Sequence, residues 1–250
     1  MYFMILIILL FAVPLIWISI NIHSAKTAWR ILLECILGIA SGSLLVFIVS
    51  AMTGYSLADI LSQSMQLAAG DFAKDPQMSA LFGMSGLSDT EKKAAFESMA
   101  TLSINTLPSM LLLWGAIISY VEYLILERLF ALSGRPVSRL GALADFSFPK
   151  NAMWGFMIIF VLSMLVSFMK LIEDSVFLTN INLIIEYAFC LQGISLLFFM
   201  FRQKRWPKVF AAVITIIFLL NVIGQTLLFL IGGIDLFFGI KQKIRAKAEK

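Results

Sequence analysis

Six apolar blocks of near-spanning length occupy most of this 250-residue sequence: Tyr2–Ile20, Ile31–Met52, Ile104–Leu126, Ala152–Ile172, Asn180–Phe201 and Val209–Ile240. A bilayer core is roughly 30 Å thick and takes about 20 helical residues to cross. Backbone in hydrocarbon must satisfy its own hydrogen bonds, so such blocks fold as helices. Only 14% of the residues are charged and 60% are hydrophobic, against about 25% and 45–50% in a soluble chain. The expected fold is all-α. It is one polytopic transmembrane helix bundle over residues 1–250, with about six to seven membrane segments.

The last block decides the count. Val209–Ile240 is too long for one ordinary span, and Gly224 or the Gly232–Gly233 pair offers a break. Loop 21–30 carries Lys26 and Arg30, and loop 127–150 carries Arg128, Arg135, Arg139 and Lys150. Loop 202–208 carries Arg202, Lys204, Arg205 and Lys208; the tail carries Lys241, Lys243, Arg245, Lys247 and Lys250. The intervening loops hold Lys74, Lys92, Lys93 and Lys170 together with Asp59, Asp71, Asp75, Asp89, Glu91, Glu97, Glu173 and Asp174. Cytoplasmic loops are the ones enriched in Lys and Arg. The tail joins them if Val209–Ile240 crosses twice, as a hairpin turning near Gly224. One long tilted helix would leave the tail outside. The hairpin is the favoured reading, with the C-terminal tail in the cytoplasm. No Lys or Arg precedes the first block, whereas Lys26 and Arg30 follow it, which predicts a retained helix rather than a secretory signal.

Residues 53–103 are expected to form a helical extracytoplasmic cap. Ser56 to Asp59 and Ser88 to Glu91 each have the spacing of a capping box. Leu57, Ile60, Leu61 and Met65 make an apolar stripe at helical spacing.

Ionisable or polar groups inside spans are costly and mark candidate sites. Glu34, Gly38 and Gly42 share one helix face, and Gly38-x-x-x-Gly42 permits close helix approach. That face suits either docking of another subunit or packing within the bundle, with Glu34 paired to Arg30. Glu122 suits a snorkelling or Arg-paired carboxylate. Asn182, Glu186, Gln192 and Gly193 form a polar stripe, and Asn221, Gln225 and Asp235 a second one. Asn182, Glu186, Gln192, Asn221 and Asp235 are therefore the candidate ligand-binding residues, with hydrogen bonding between helices as the alternative. Asp235 also lies close enough in sequence to pair with Lys241, Lys243 or Arg245.

Nothing here has the pattern of a catalytic site. Cys35 and Cys190 sit in apolar blocks, and His23 has no neighbouring Cys, Asp or Glu in its loop. No enzyme activity, metal or cofactor is expected.

The second half of the chain resembles the YybS-like family of bacterial membrane proteins, to which no biochemical activity is assigned. The stretches that carry the likeness are INTLPSMLLLWGAIISYVEYLILERLFALSGRPV, ADFSFPKNAMWGF, NINLIIEYAFCLQGISLLFF and IGGIDLFFGIKQK. AVPLIWISINIHSAKTAWR is similar to the family's Pro-Leu span and basic loop. By that resemblance Pro149, Asn182, Gln192, Gly193 and Asp235 occupy recurring positions. Gly232, Gly233 and Asp235 match a Gly-x-x-Asp element that ends in a basic run. Lys241 and Lys243 stand where an Arg is common, and the N-terminal spans are fewer than usual, as in a chain that is short or starts late. The family looks like the substrate-binding subunits of energy-coupling-factor vitamin transporters, and its relatives are often encoded near a cyclic-di-AMP phosphodiesterase. The resemblance thus implies a small-molecule binding or transport subunit, or an accessory scaffold that docks another membrane protein or a signalling enzyme. The expected partners are the lipid bilayer, a second membrane subunit and a small-molecule ligand; nucleic acid is not among them.

Overall fold

The computed structural model describes residues 2–53, 57–148, 150–169 and 176–248, and among these every regular element is a helix. The residues fall into two compact units, Met1–Arg139 and Leu140–Lys250.

The first unit contains α1 (Tyr2–Asn21), α2 (Ala28–Met52) and α6 (Leu107–Leu132), which pack on one another. Helices α1 and α2 run antiparallel, so the Tyr2 hydroxyl meets Thr53 Oγ1 at 2.8 Å. The small residues allow close approach. A Cβ on Gly38 would lie 3.2 Å from Val13, and one on Gly42 would lie 3.1 Å from Leu9, both on α1. Three further helices, α3 (Leu57–Lys74), α4 (Pro76–Leu81) and α5 (Asp89–Asn105), form the insertion. Its core is Ala69, Ala73, Met84 and Phe96, with the rings of Phe72 and Phe82 against Phe96. The Ser88 capping box forms as expected: Ser88 N donates to Glu91 Oε2 at 2.8 Å and Glu91 N donates to Ser88 Oγ at 3.4 Å. Ser56, the start of the other expected box, lies outside the described residues.

The second unit contains a 3-10 turn (Leu143–Asp145), then α7 (Lys150–Phe168), α8 (Val176–Gln203), α9 (Lys208–Leu219), α10 (Val222–Phe238) and α11 (Ile240–Ala248). Helices α8 and α10 are in backbone contact. A Cβ on Gly193 would lie 2.1 Å from the Leu228 carbonyl oxygen, and one on Gly232 would lie 1.9 Å from that of Phe189. Phe156 and Phe160 of α7 pack onto this pair around Ile185, Phe189 and Leu236.

Helices α1, α2, α6 and α8 are long and apolar enough to cross a membrane. Helix α7 contributes a shorter apolar stretch, Trp154–Phe168. The block Val209–Ile240 is broken: α9 and α10 meet at a bend of 116°. One continuous tilted helix is thereby ruled out. The break has local causes. Asn221 caps α10 by accepting from Ile223 N at 2.8 Å, and Gln225 Nε2 reaches back to the Leu219 carbonyl at 2.7 Å. Gly224 lies so close under α9 that a Cβ would come within 2.4 Å of Phe218 Cα.

Contacts along α8 give the direction of α10. Cys190 Sγ meets the Gln225 carbonyl, Gln192 meets Asp235, and Phe199 meets Ile240 and Ile244 beyond the end of α10. Helix α10 therefore runs the same way as α8. Because α9 begins only a short turn after α8 ends, α9 and α10 start and finish at the same end of α8.

Candidate functional site: a polar cluster where α8, α10 and α11 meet

The C-terminal end of α10 carries a chain of polar contacts that is closed to solvent. Gln192, Asp235 and Lys241 are 0%, 3% and 5% exposed. Gln192 Nε2 donates to Asp235 Oδ2 at 2.6 Å and to Ser147 Oγ at 3.4 Å, while its Oε1 accepts from Phe148 N at 3.2 Å. Asp235 Oδ1 accepts from Lys241 N at 3.0 Å, which caps the first turn of α11. Gly239 makes this corner possible: it ends α10 with φ 60°, a left-handed conformation that favours glycine.

The Lys241 side chain turns inward. Its Nζ donates to the Phe146 carbonyl at 2.6 Å and to Ser195 Oγ at 2.7 Å, and lies 3.6 Å from Asp235 Oδ2. Ser195 Oγ in turn is 2.5 Å from the Leu143 carbonyl and 2.7 Å from that of Phe146. Burial pushes the Lys241 ammonium below its ordinary range, and Asp235 opposes that shift. The pocket beside the cluster is about 20 Å³ and is lined by Ser147, Phe148, Asp235, Gly239 and Lys241 among others. That is room for about one water.

A second, exposed cluster lies next to the first. Arg202 at the end of α8 makes a bidentate pair with Asp145, at 2.7 and 2.6 Å, and Arg245 of α11 reaches the same carboxylate at 2.5 Å. The Arg202 guanidinium beside it, helped by Arg245, holds the Asp145 carboxyl below the usual carboxylate range. Both guanidiniums also lie over the Phe199 ring, at 5.7 and 5.3 Å. Together the two clusters fasten residues 143–148, α8, α10 and α11 to one another.

Of the sequence-derived candidates, the structure brings only Gln192 and Asp235 together, and each serves the other. Asn182 and Glu186 lie ten and six residues earlier on α8, about 15 and 9 Å along the axis. Asn182 Oδ1 is buried with no hydrogen-bond partner among the described residues. Asn221 lies in the α9–α10 turn as a helix cap.

In the first unit, Glu34 accepts from Lys26 at 2.7 Å, Trp17 Nε1 at 3.0 Å and Arg30 Nε at 3.2 Å, so the expected Arg30 pair is one of three. Gly38 and Gly42 face α1 within the same unit. The Arg partner anticipated for Glu122 is missing: its Oε2 is buried without a hydrogen-bond partner among the described residues. Pro149 lies outside the described residues.

Ser195 and Asp145 are not among the sequence-derived candidates, and Arg202 is legible there only as a loop cation. Ser195 is a small residue in an apolar block and Asp145 lies in a loop; neither has a periodic signal. Of the three cations near Asp235 in sequence, the Gly239 corner selects Lys241. Among the described residues, no three His, Cys, Asp or Glu side chains converge as a metal site.

The family profile described as "Predicted membrane protein (DUF2232)" matches residues 1–236. The chain belongs to this family. The DUF2232 match takes in the α8–α10 crossing and Asp235, and the YybS-like resemblance read from the sequence agrees with it. The chain is also similar to "Uncharacterized protein YybS" of Bacillus subtilis (strain 168), at 24% identity over 141 residues. That alignment covers 55% of this chain and 44% of the relative, so the chain spans less than half of that protein's length. No solved structure matches. The chain is accordingly a membrane protein of the DUF2232 family, built from apolar helices.

Proposed function

We propose that this protein is a non-catalytic accessory subunit that docks another component on a basic face at the end of α8, rather than a solute-binding or transport subunit. One observation carries this reading. Gln192 and Asp235, the two expected cavity-lining side chains that the fold brings together, are used by the protein itself: both N–H groups and the carbonyl of Gln192 are engaged, and Asp235 is held by Gln192 and Lys241. A buried polar network that is fully satisfied rigidifies and specifies a fold. A ligand would have to break it.

What the network holds in place is a cluster of exposed cations. Lys204, Arg205 and Lys208 follow α8, and Lys243 and Lys247 project from α11, which is tied to α8 through Asp145. By the positive-inside rule this end lies in the cytoplasm. Within the first unit the same rule puts the basic loop 21–30 inside, and so the insertion that follows α2 outside.

Helix α9 has 12 residues, about 18 Å, too short to cross a core of roughly 30 Å. Helices α9 and α10 are best read as a re-entrant hairpin. Its apex, with Leu220 83% and Val222 77% exposed, would stay in hydrocarbon. This replaces a hairpin that crosses twice, and it keeps the tail on the cytoplasmic side.

Native mass spectrometry on protein gently extracted from its own membranes tests the choice. The docking reading predicts an additional component that is lost when Lys204, Lys208, Lys243 and Lys247 are changed to Gln. A bound small molecule lost in an Asn182→Ala/Gln192→Ala variant would overturn it in favour of a binding or transport subunit.

A further inference from the structure

Resting on the docking reading, we infer that the basic face around the α8–α9 turn and α11 is a binding surface for anionic phospholipid headgroups. Five exposed cations are gathered there: Lys204, Arg205, Lys208, Lys243 and Lys247. The two described carboxylates that touch α11 are already engaged: Asp235 is buried against Gln192 and Lys241, and both oxygens of Asp145 hold Arg202, with Arg245 on one of them. Four to eight cations just beyond a membrane helix, or on an amphipathic helix, attract anionic lipid.

The position is that of the headgroup layer. Trp206 is half-exposed in the turn, edge-on to Phe201 at 5.2 Å and beside Phe210 at 6.1 Å, and Trp is a residue of the membrane–water interface. Helix α11 sets Ile240 and Ile244 against Phe199 while Lys243 and Lys247 stay in solvent.

Arg205 supplies an independent indication. It sits at φ 56°, in the left-handed region, just after α8. The bond from Trp206 N to the Phe201 carbonyl, at 3.0 Å, closes the helix end around it. Glycine adopts this conformation without strain and a branched-off Cβ does not. A strained residue held at one place points to a role that outweighs the strain. Here the side chain that glycine lacks is a guanidinium, the group that pairs bidentately with phosphate.

The test uses the full chain in mild detergent, with native mass spectrometry counting retained phosphatidylglycerol or cardiolipin against phosphatidylcholine. The wild type is expected to retain the anionic lipids preferentially. Each cation contributes on the order of fivefold. Arg205→Gly should therefore lower anionic retention several-fold while raising the melting temperature, a combination that misfolding does not produce. Lys204→Gln/Arg205→Gly/Lys243→Gln/Lys247→Gln should lower it by tenfold or more and leave phosphatidylcholine unchanged.

Anionic lipid retained equally by wild type and the fourfold variant overturns the lipid assignment. If that variant instead loses an acidic protein partner, the docking reading stands with a different occupant; if it loses neither, both fall.

Discussion

Asp235 shows how one buried carboxylate sets a local structure. It receives Gln192 from α8 and the backbone of Lys241 from α11, and it faces the Lys241 ammonium. Removing one member of a buried ion pair leaves the other uncompensated, at a cost of about 3–5 kcal/mol. Asp235→Ala is therefore expected to lower the melting temperature in detergent strongly. Asp235→Leu combined with Lys241→Met should recover much of that loss, because no charge is stranded. Asp145 behaves differently because it is exposed. Arg202 lowers its pKa from the ordinary 3.8, so the pairing contributes stability above about pH 4 and loses it as the pH falls through the lowered value. A melting temperature that falls on acidification below pH ~4, and falls less in Asp145→Asn, is the expected result.

At the scale of elements, the α8–α10 crossing depends on the absence of two β-carbons. Gly193→Ala or Gly232→Ala would set a methyl about 2 Å from a backbone carbonyl oxygen, so the helices must separate. Each is expected to destabilise by at least the 1–3 kcal/mol typical of overpacking, read by thermal unfolding. Gly233→Ala meets nothing within 4 Å and should change little.

Much of this level was legible in the sequence. Among the described residues the apolar blocks are helical, the Ser88 box formed, and Val209–Ile240 broke into two helices close to Gly224. Length and hydropathy carry that information because the bilayer leaves the backbone few choices. The site was less legible. Gln192 and Asp235 stand out as polar residues in apolar surroundings, but apart from each other they meet the backbone N–H groups of Phe148 and Lys241 and the Ser147 hydroxyl, which have no periodic signal. Asn221 has the same chemistry as Asn182, and only the bend reveals that it caps a helix. Gly38 and Gly42, whose spacing suits either docking or packing within the bundle, face a neighbouring helix of their own unit.

At the scale of the molecule, membership of the DUF2232 family and the apolar helices establish a membrane protein, and the arrangement of α8 to α11 indicates how its charge is presented. Helices α9 and α10 leave from and return to one end of α8, so the cations that follow α8 and those of α11 share a face. Cysteine labelling in oriented membrane vesicles tests this most directly. Lys204→Cys, Val222→Cys and Lys247→Cys are introduced singly after the two buried native cysteines, Cys35 and Cys190, are replaced. The expected result is that positions 204 and 247 react with an impermeant reagent from the cytoplasmic side only, and position 222 from neither side. Labelling of 204 and 247 from opposite sides would mean that α9 and α10 together cross the membrane, and the shared basic face would not exist.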